Sequence, residues 1–159
     1  MKTTSQNETL ILFGTQTGTA EDLAEQLSEI FNNSRVSNRF ENMFDVDLKS
    51  VTTFKRLIII VSTWGEGDPP DDAEALHLEI SGCSDTTFTG IDFAVFGLGD
   101  TSFDEFCKCG VDFDTFLENG GGNRLLDRVD ADMDFEDDFE KWSKSLTKVL
   151  SADKQKASA

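Results

Sequence analysis

The sequence contains no tyrosine, one histidine, two prolines and three cysteines, and its 31 Asp and Glu outnumber 14 Lys and Arg to leave a formal net charge of −17. Each shortage excludes something. Without basic surface the chain is a poor partner for nucleic acid or for an anionic membrane. Cys83, Cys107 and Cys109 are odd in number and follow no disulfide-framework spacing, which favours a reducing compartment. A metal pair at Cys107 and Cys109 would have only Cys83 and His77 as further soft ligands, at no metal-site spacing. The longest aliphatic run, Leu57 to Val61, is far too short to span a bilayer, and "MKTTSQNETL" has no apolar stretch behind its Lys. The expectation is a soluble, unexported, cytoplasmic protein, and 159 residues suit one domain with a core of about 8–150 and a frayed tail over 151–159.

What is present alternates. Thr9 to Phe13 is a short apolar run, after which Ala20, Leu23, Ala24, Leu27, Ile30 and Phe31 recur at helical spacing. "NMFDVDL" (42–48) reads as a weak second strand, and "RLIIIVST" (56–63) as one buried on both faces. The proline pair and acids of "WGEGDPPDDA" open a helix over Ala73 to Ile80, which contains His77. "IDFAVFGLG" (91–99) is a fourth strand, and Phe106, Phe113, Phe116 and Leu117 mark a helix that stops at "NGGG" (119–122). "RLLDRVDA" is a fifth strand, and Phe135, Phe139, Trp142, Leu146, Val149 and Leu150 mark a last amphipathic helix. Strand and helix in alternation predict a parallel sheet covered on both faces, with ligands bound beyond the carboxyl ends of the strands.

Three loops lie at that end. "GTQTGTAED" (14–22) offers hydroxyls and backbone N–H groups at a helix N-terminus, the ligands of a phosphate. It is not a Walker loop: three residues separate Gly14 from Gly18 and no Lys follows, and the dinucleotide pattern G-x-G-x-x-G is missing as well. A receiver-type signalling domain would need an acceptor Asp where strand three ends in Ser62 and Thr63. The plainer reading is a Gly/Thr turn with Thr19 and Asp22 as a capping pair. "STWGEGD" (62–68) and "GLGDTSFDEF" (97–106) each bring one aromatic, Trp64 and Phe103, to the same end of the sheet. Either ring alone fits a core position; together, beside a phosphate loop, they suit a sandwich around a flat heterocycle, as in flavin mononucleotide.

"TQTGTAED", "STWGEGDPP" and "FGLGDTSFDEFC" resemble, in order and separation, the three FMN-binding loops of flavodoxins, and residues 100–142 are similar to the FMN domain of sulfite reductase flavoprotein and related diflavin reductases. The resemblance covers about 8–150. It implies a flavodoxin-like, doubly wound α/β fold with a five-stranded parallel sheet in the order 2-1-3-4-5. It assigns Thr15, Gln16, Thr17, Gly18 and Thr19 to the FMN phosphate. It sets Ser62, Thr63, Trp64, Gly65 and Gly67 on the inner side of the ring, with Leu98, Gly99, Asp100, Phe103, Phe106 and Cys107 on the outer side. Phe103 stands where many relatives carry Tyr, which keeps the ring and removes a hydroxyl.

The implied role is a monomeric, low-potential carrier of single electrons, with no catalytic residue or metal of its own, because the flavin supplies the redox chemistry. Gly65 is a candidate for a peptide flip that offers its carbonyl to the flavin after one electron is added. Glu66, Asp68, Asp100, Asp104, Glu105 and Asp132 lie in segments near the expected site. A carboxylate at about 10 Å opposes an added negative charge by roughly 0.4 to 1.7 kcal/mol. The same acids would steer the flavin edge toward basic patches on redox partner proteins, although they equally suit solubility or a saline milieu. Two other readings stay open: an FMN domain of a diflavin reductase system, and a flavodoxin-like interaction protein that holds no flavin.

Overall fold

The computed structural model describes residues 8–15, 18–63, 67–100 and 107–158, with side chains described as far as residue 151. Its sheet is parallel throughout. The strands are β1 (Thr9–Gly14), β2 (Asn38–Asn42), β3 (Arg56–Ser62), β4 (Asp92–Leu98), β5 (Asn123–Arg124) and β6 (Val129–Ala131). Their order is β2-β1-β3-β4-β5, with β6 also paired to β4, so the expected 2-1-3-4-5 arrangement holds. The helices are α1 (Thr19–Asn33), α2 (Leu48–Val51), α3 (Glu74–Ser81), α4 (Lys108–Asn119) and α5 (Glu136–Ser158), joined by 3-10 turns at Met43–Asp45 and Asp71–Ala73.

Side-chain alternation divides the core into two layers. Leu10, Leu12, Leu57, Ile59, Val61, Phe93 and Val95 face Leu76, Ile80, Phe113 and Leu117 of α3 and α4. Ile11, Phe13, Ile58, Ile60, Ala94, Phe96 and Leu98 face Leu23, Leu27 and Phe31 of α1, together with Phe139, Trp142 and Leu146 of α5. Because period-2 alternation supplies apolar groups to both faces, the central strands have no polar side, which is why β3 reads as an unbroken aliphatic run.

Two elements differ from expectation. The second strand is Asn38–Asn42 and not 42–48: the Asn42 side chain accepts the Phe44 N–H at 2.8 Å and ends the strand in a 3-10 turn, while Met43 turns into the core. A polar edge strand, "NRFEN", carries little hydrophobic signal, since among the described residues it pairs with β1 alone. The fifth strand is interrupted: Arg124 aligns with Phe93 and Val129 with Phe96, so the two halves flank a turn over residues 125–128. The last helix is Glu136–Ser158.

The interruption is held by charge. The buried Asp114 of α4 accepts from Arg124 at 2.9 and 2.8 Å and from Arg128 at 2.9 Å. Arg124 also reaches Glu118, and Arg128 pairs with Asp130 at 2.8 Å. The hydrogen bond to Asp114, then that to Glu118, holds the Arg124 guanidinium above its ordinary range; Arg128 is raised chiefly by its bond to Asp130.

Candidate functional site

The carboxyl ends of β1, β3, β4 and β6 meet at one rim of the sheet. Hydrogen bonds fix them to one another: Thr63 N–H donates to the Leu98 carbonyl at 2.9 Å, and Gly99 N–H to the Ala131 carbonyl at 2.9 Å. The Cys109 N–H, in the first turn of α4, donates to Thr63 Oγ1 at 2.9 Å. Thus Ser62 and Thr63 at the end of β3, and Leu98, Gly99 and Asp100 at the end of β4, stand side by side with the start of α4. Sequence separation hides this juxtaposition, which the parallel register creates.

The first loop begins at Thr15 and closes at Gly18. Gly18 has φ 96°, in the left-handed region, and donates its N–H to Thr15 Oγ1 at 2.8 Å. It is also the N-cap of α1, and as a glycine it supplies no side-chain cap of its own. The expected capping pair of Thr19 and Asp22 is therefore not formed; Thr19 is the first residue of the helix and Asp22 N–H bonds the Gly18 carbonyl at 3.1 Å. A Cβ built on Gly18 meets nothing within 4 Å, so the backbone at this helix start faces open space.

Sequence reasoning missed the support behind that loop. Both carboxylate oxygens of Asp72 accept the Thr15 N–H, at 3.1 and 3.2 Å, and Asp72 Oδ2 also accepts from Asn42 Nδ2 at 2.9 Å. In "DPPDDA" this acid reads only as one that suits a helix start, and no local signal separates Asp72 from Asp71.

On the opposite flank, Cys107 is fully buried and holds φ 55°, a left-handed conformation unusual for a side-chain-bearing residue. Its Sγ lies 3.5 Å from the Ala131 carbonyl, which also receives the Gly99 N–H. Burial, and after it the Asp130 charge, pushes this thiol up to about 12. Cys109, equally buried, is raised by burial first and by Asp112 second. A thiol shifted upward in this way is a poorer nucleophile at neutral pH than an ordinary cysteine. Among the described residues no three His, Cys, Asp or Glu side chains gather as metal ligands. His77 packs edge-on to Phe113 and Phe116 and pairs with Asp112 at 3.0 Å, a link between α3 and α4.

Of the residues expected at the site, the structure brings Thr15, Gly18, Thr19, Ser62, Thr63, Leu98, Gly99, Asp100 and Cys107 to this rim. Gly67, at φ 110°, lies in the segment leading from β3 toward Asp72. Gln16, Thr17, Trp64, Gly65, Phe103 and Phe106 lie outside the described residues. No helix among the described residues is long and apolar enough to cross a membrane.

The chain is similar to the sulfite reductase [NADPH] flavoprotein alpha-components of Buchnera aphidicola (39% identity over 142 residues) and Cronobacter sakazakii (41% over 142 residues). Each alignment covers 89% of this chain and 24% of the relative, so the chain spans about a quarter of the length of these proteins. Two solved structures share the fold. The flavodoxin of Streptococcus pneumonia TIGR4 has a TM-score of 0.80 at 24% identity, covering 92% of this chain and 99% of that one. Oxidised Flavodoxin 1 from Bacillus cereus has a TM-score of 0.77 at 18% identity, covering 90% and 96%. The family model described as Flavodoxin matches residues 11–142, and the chain therefore belongs to the flavodoxin family, an FMN-binding family.

Proposed function

We propose that this chain binds FMN at the rim formed by β1, β3 and β4 and carries electrons one at a time between larger redox proteins. The observation that carries the reading is the start of α1: its N-cap is a left-handed glycine, Gly18, which brings no side chain of its own, and a Cβ built there meets nothing within 4 Å. Backbone N–H groups at the positive end of a helix fit a phosphate monoester, and they do so without a Lys or Arg. Thr15, Gln16, Thr17, Gly18 and Thr19 would hold that phosphate. Because Thr15 Oγ1 already accepts from Gly18, its hydroxyl proton is left to donate outward.

The bonds from Thr63 to Leu98 and from Cys109 to Thr63 root the two remaining loops side by side. Trp64 and Phe103 would flank the ring from those loops. Ser62, Gly65, Gly67, Leu98, Gly99, Asp100, Phe106 and Cys107 would complete its walls. Bound FMN supplies an acceptor and donor of single electrons; the chain orients it, limits water around it and sets its electrostatic surroundings.

A second reading concerns the partner. Identity near 40% to alpha-components of sulfite reductase, against 24% and 18% to the two solved flavodoxins above, supports an acceptor of the sulfite reductase kind, with the chain acting as the FMN part of a diflavin system. Partners would dock through basic patches onto the acidic rim.

Absorbance of the purified protein, titrated with FMN and then reduced stepwise, tests the function. The expected result is stoichiometric flavin binding and two separated one-electron reduction steps. Protein that retains no flavin under any condition would leave only the interaction-protein reading.

A further inference from the structure

We infer that Asp72 is a positioning residue that locks the phosphate loop to the segment following β3, so that the chain's preference for a phosphorylated flavin depends on a carboxylate that never touches the phosphate. The inference rests on the FMN reading above. Three contacts carry it. The Thr15 N–H is the first donor after β1, and it is taken by both oxygens of Asp72 at 3.1 and 3.2 Å. Asn42, at the end of β2, holds the same carboxylate from the other side at 2.9 Å. The Thr15 hydroxyl then receives Gly18 N–H at 2.8 Å, which fixes the far end of the loop. A chain of bonds thus runs Asn42, Asp72, Thr15, Gly18 and ends at the N-cap of α1.

The 3-10 turn that presents Asp72 is wedged against β1. A Cβ built on Gly14 would stand 2.8 Å from Ala73 Cβ, so the turn and the strand end approach as closely as a glycine allows. Asp72 therefore has little freedom to shift, and neither has Thr15. Chemistry makes the arrangement informative. A carboxylate repels a phosphate dianion, and it withholds the Thr15 N–H from the ligand. A loop that served only to gather donors would gain by releasing that N–H. Its capture costs one donor and a like charge, and it fixes the orientation of Thr15, whose hydroxyl in turn holds the Gly18 N–H. Geometry at the loop thus outweighs the count of donors.

The test compares FMN with riboflavin, which has the same ring and no phosphate. Dissociation constants for both are measured by flavin fluorescence quenching with the full chain, for the natural sequence, D72A and D72N. In D72A the FMN constant is expected to rise roughly tenfold or more, with riboflavin binding within about twofold of the natural chain. In D72N an amide oxygen still accepts the Thr15 N–H, so most of the FMN preference is expected to return. Should D72A not fold, D72S replaces it, one atom too short to bridge Thr15 and Asn42. Equal losses for both flavins, or an unchanged ratio, would overturn the role of Asp72 while leaving FMN binding intact. A natural chain that binds neither flavin would instead remove the reading on which the inference stands.

Discussion

No side chain fits between Gly99 and Cys107: a Cβ built on Gly99 lies 2.9 Å from both the backbone nitrogen and the Sγ of Cys107. The close approach lets the end of β4 donate Gly99 N–H to Ala131 while Cys107 turns left-handed to begin α4. Gly99→Ala should therefore push the start of α4 off the rim, at a cost of about 1–3 kcal/mol for overpacking. Urea unfolding of the apoprotein measures the loss, and FMN affinity should fall with it.

Asp114 offers a second test. It is nearly inaccessible and neutralises two arginines that come from opposite sides of the strand interruption. Asp114→Ala leaves both guanidinium groups without their shared partner, and the expected destabilisation is about 3 kcal/mol. A double-mutant cycle with Arg128→Ala should show a non-zero coupling; additive losses would mean that the pair contributes nothing as a pair.

The buried thiols predict a reactivity order. At pH 8 iodoacetamide should modify Cys83, which is only partly buried, before Cys107 or Cys109, which react once the chain is unfolded. Mass spectrometry of digested protein reads the order. Early modification of Cys107 would contradict the raised thiol.

The same thiols set a sign for alkaline stability. Folding raises the Cys107 thiol from 9.0 to about 12, so the unfolded chain releases that proton first as pH climbs. Stability from this group is complete below about pH 9 and is lost between pH 9 and 12, by at most about 1.4 kcal/mol per pH unit. Cys107→Ala should flatten that part of the pH profile, measured by denaturant midpoints.

Docking through charge predicts a salt effect. Electron transfer from the reduced flavoprotein to a basic acceptor such as cytochrome c should slow as ionic strength rises past the range in which screening reaches molecular dimensions. Stopped-flow rates that ignore salt would remove the acidic rim from the docking account. Asp100→Asn should also raise the potential of the second electron by tens of millivolts, roughly 20 to 70 mV.

Much of this molecule was legible in the sequence because the central strands carry their own signal. "LIIIV" in β3 and the 3.6-residue recurrence in α1 follow directly from burial on two faces and on one. Legibility fails where the signal is polar or long-range. Strand β2 is an edge, so Arg39, Phe40 and Glu41 carry no alternation strong enough to outcompete the apolar "MF" and "VDL" that follow. The loop glycines and threonines announce a phosphate site, but Asp72 sits 57 residues from Thr15 and resembles every other acid in an acidic chain. Its role exists only once β1 and the 3-10 turn have been brought together.

The interrupted fifth strand has a consequence for how this fold can grow. Between the paired positions Phe93 and Phe96 the strand β4 advances by three residues, while its neighbour advances by five from Arg124 to Val129. The surplus is even, so residues on either side of the turn keep the same inward and outward alternation. Each half is registered on β4 independently, and the arginine links to Asp114 clamp both shoulders of the gap. Extra polypeptide inserted at Leu126–Asp127 would lengthen an excursion that already leaves the sheet, with neither half obliged to slide. The fold thus carries, far along its chain, a seam at which whole new structure can be added without unpicking what lies on either side.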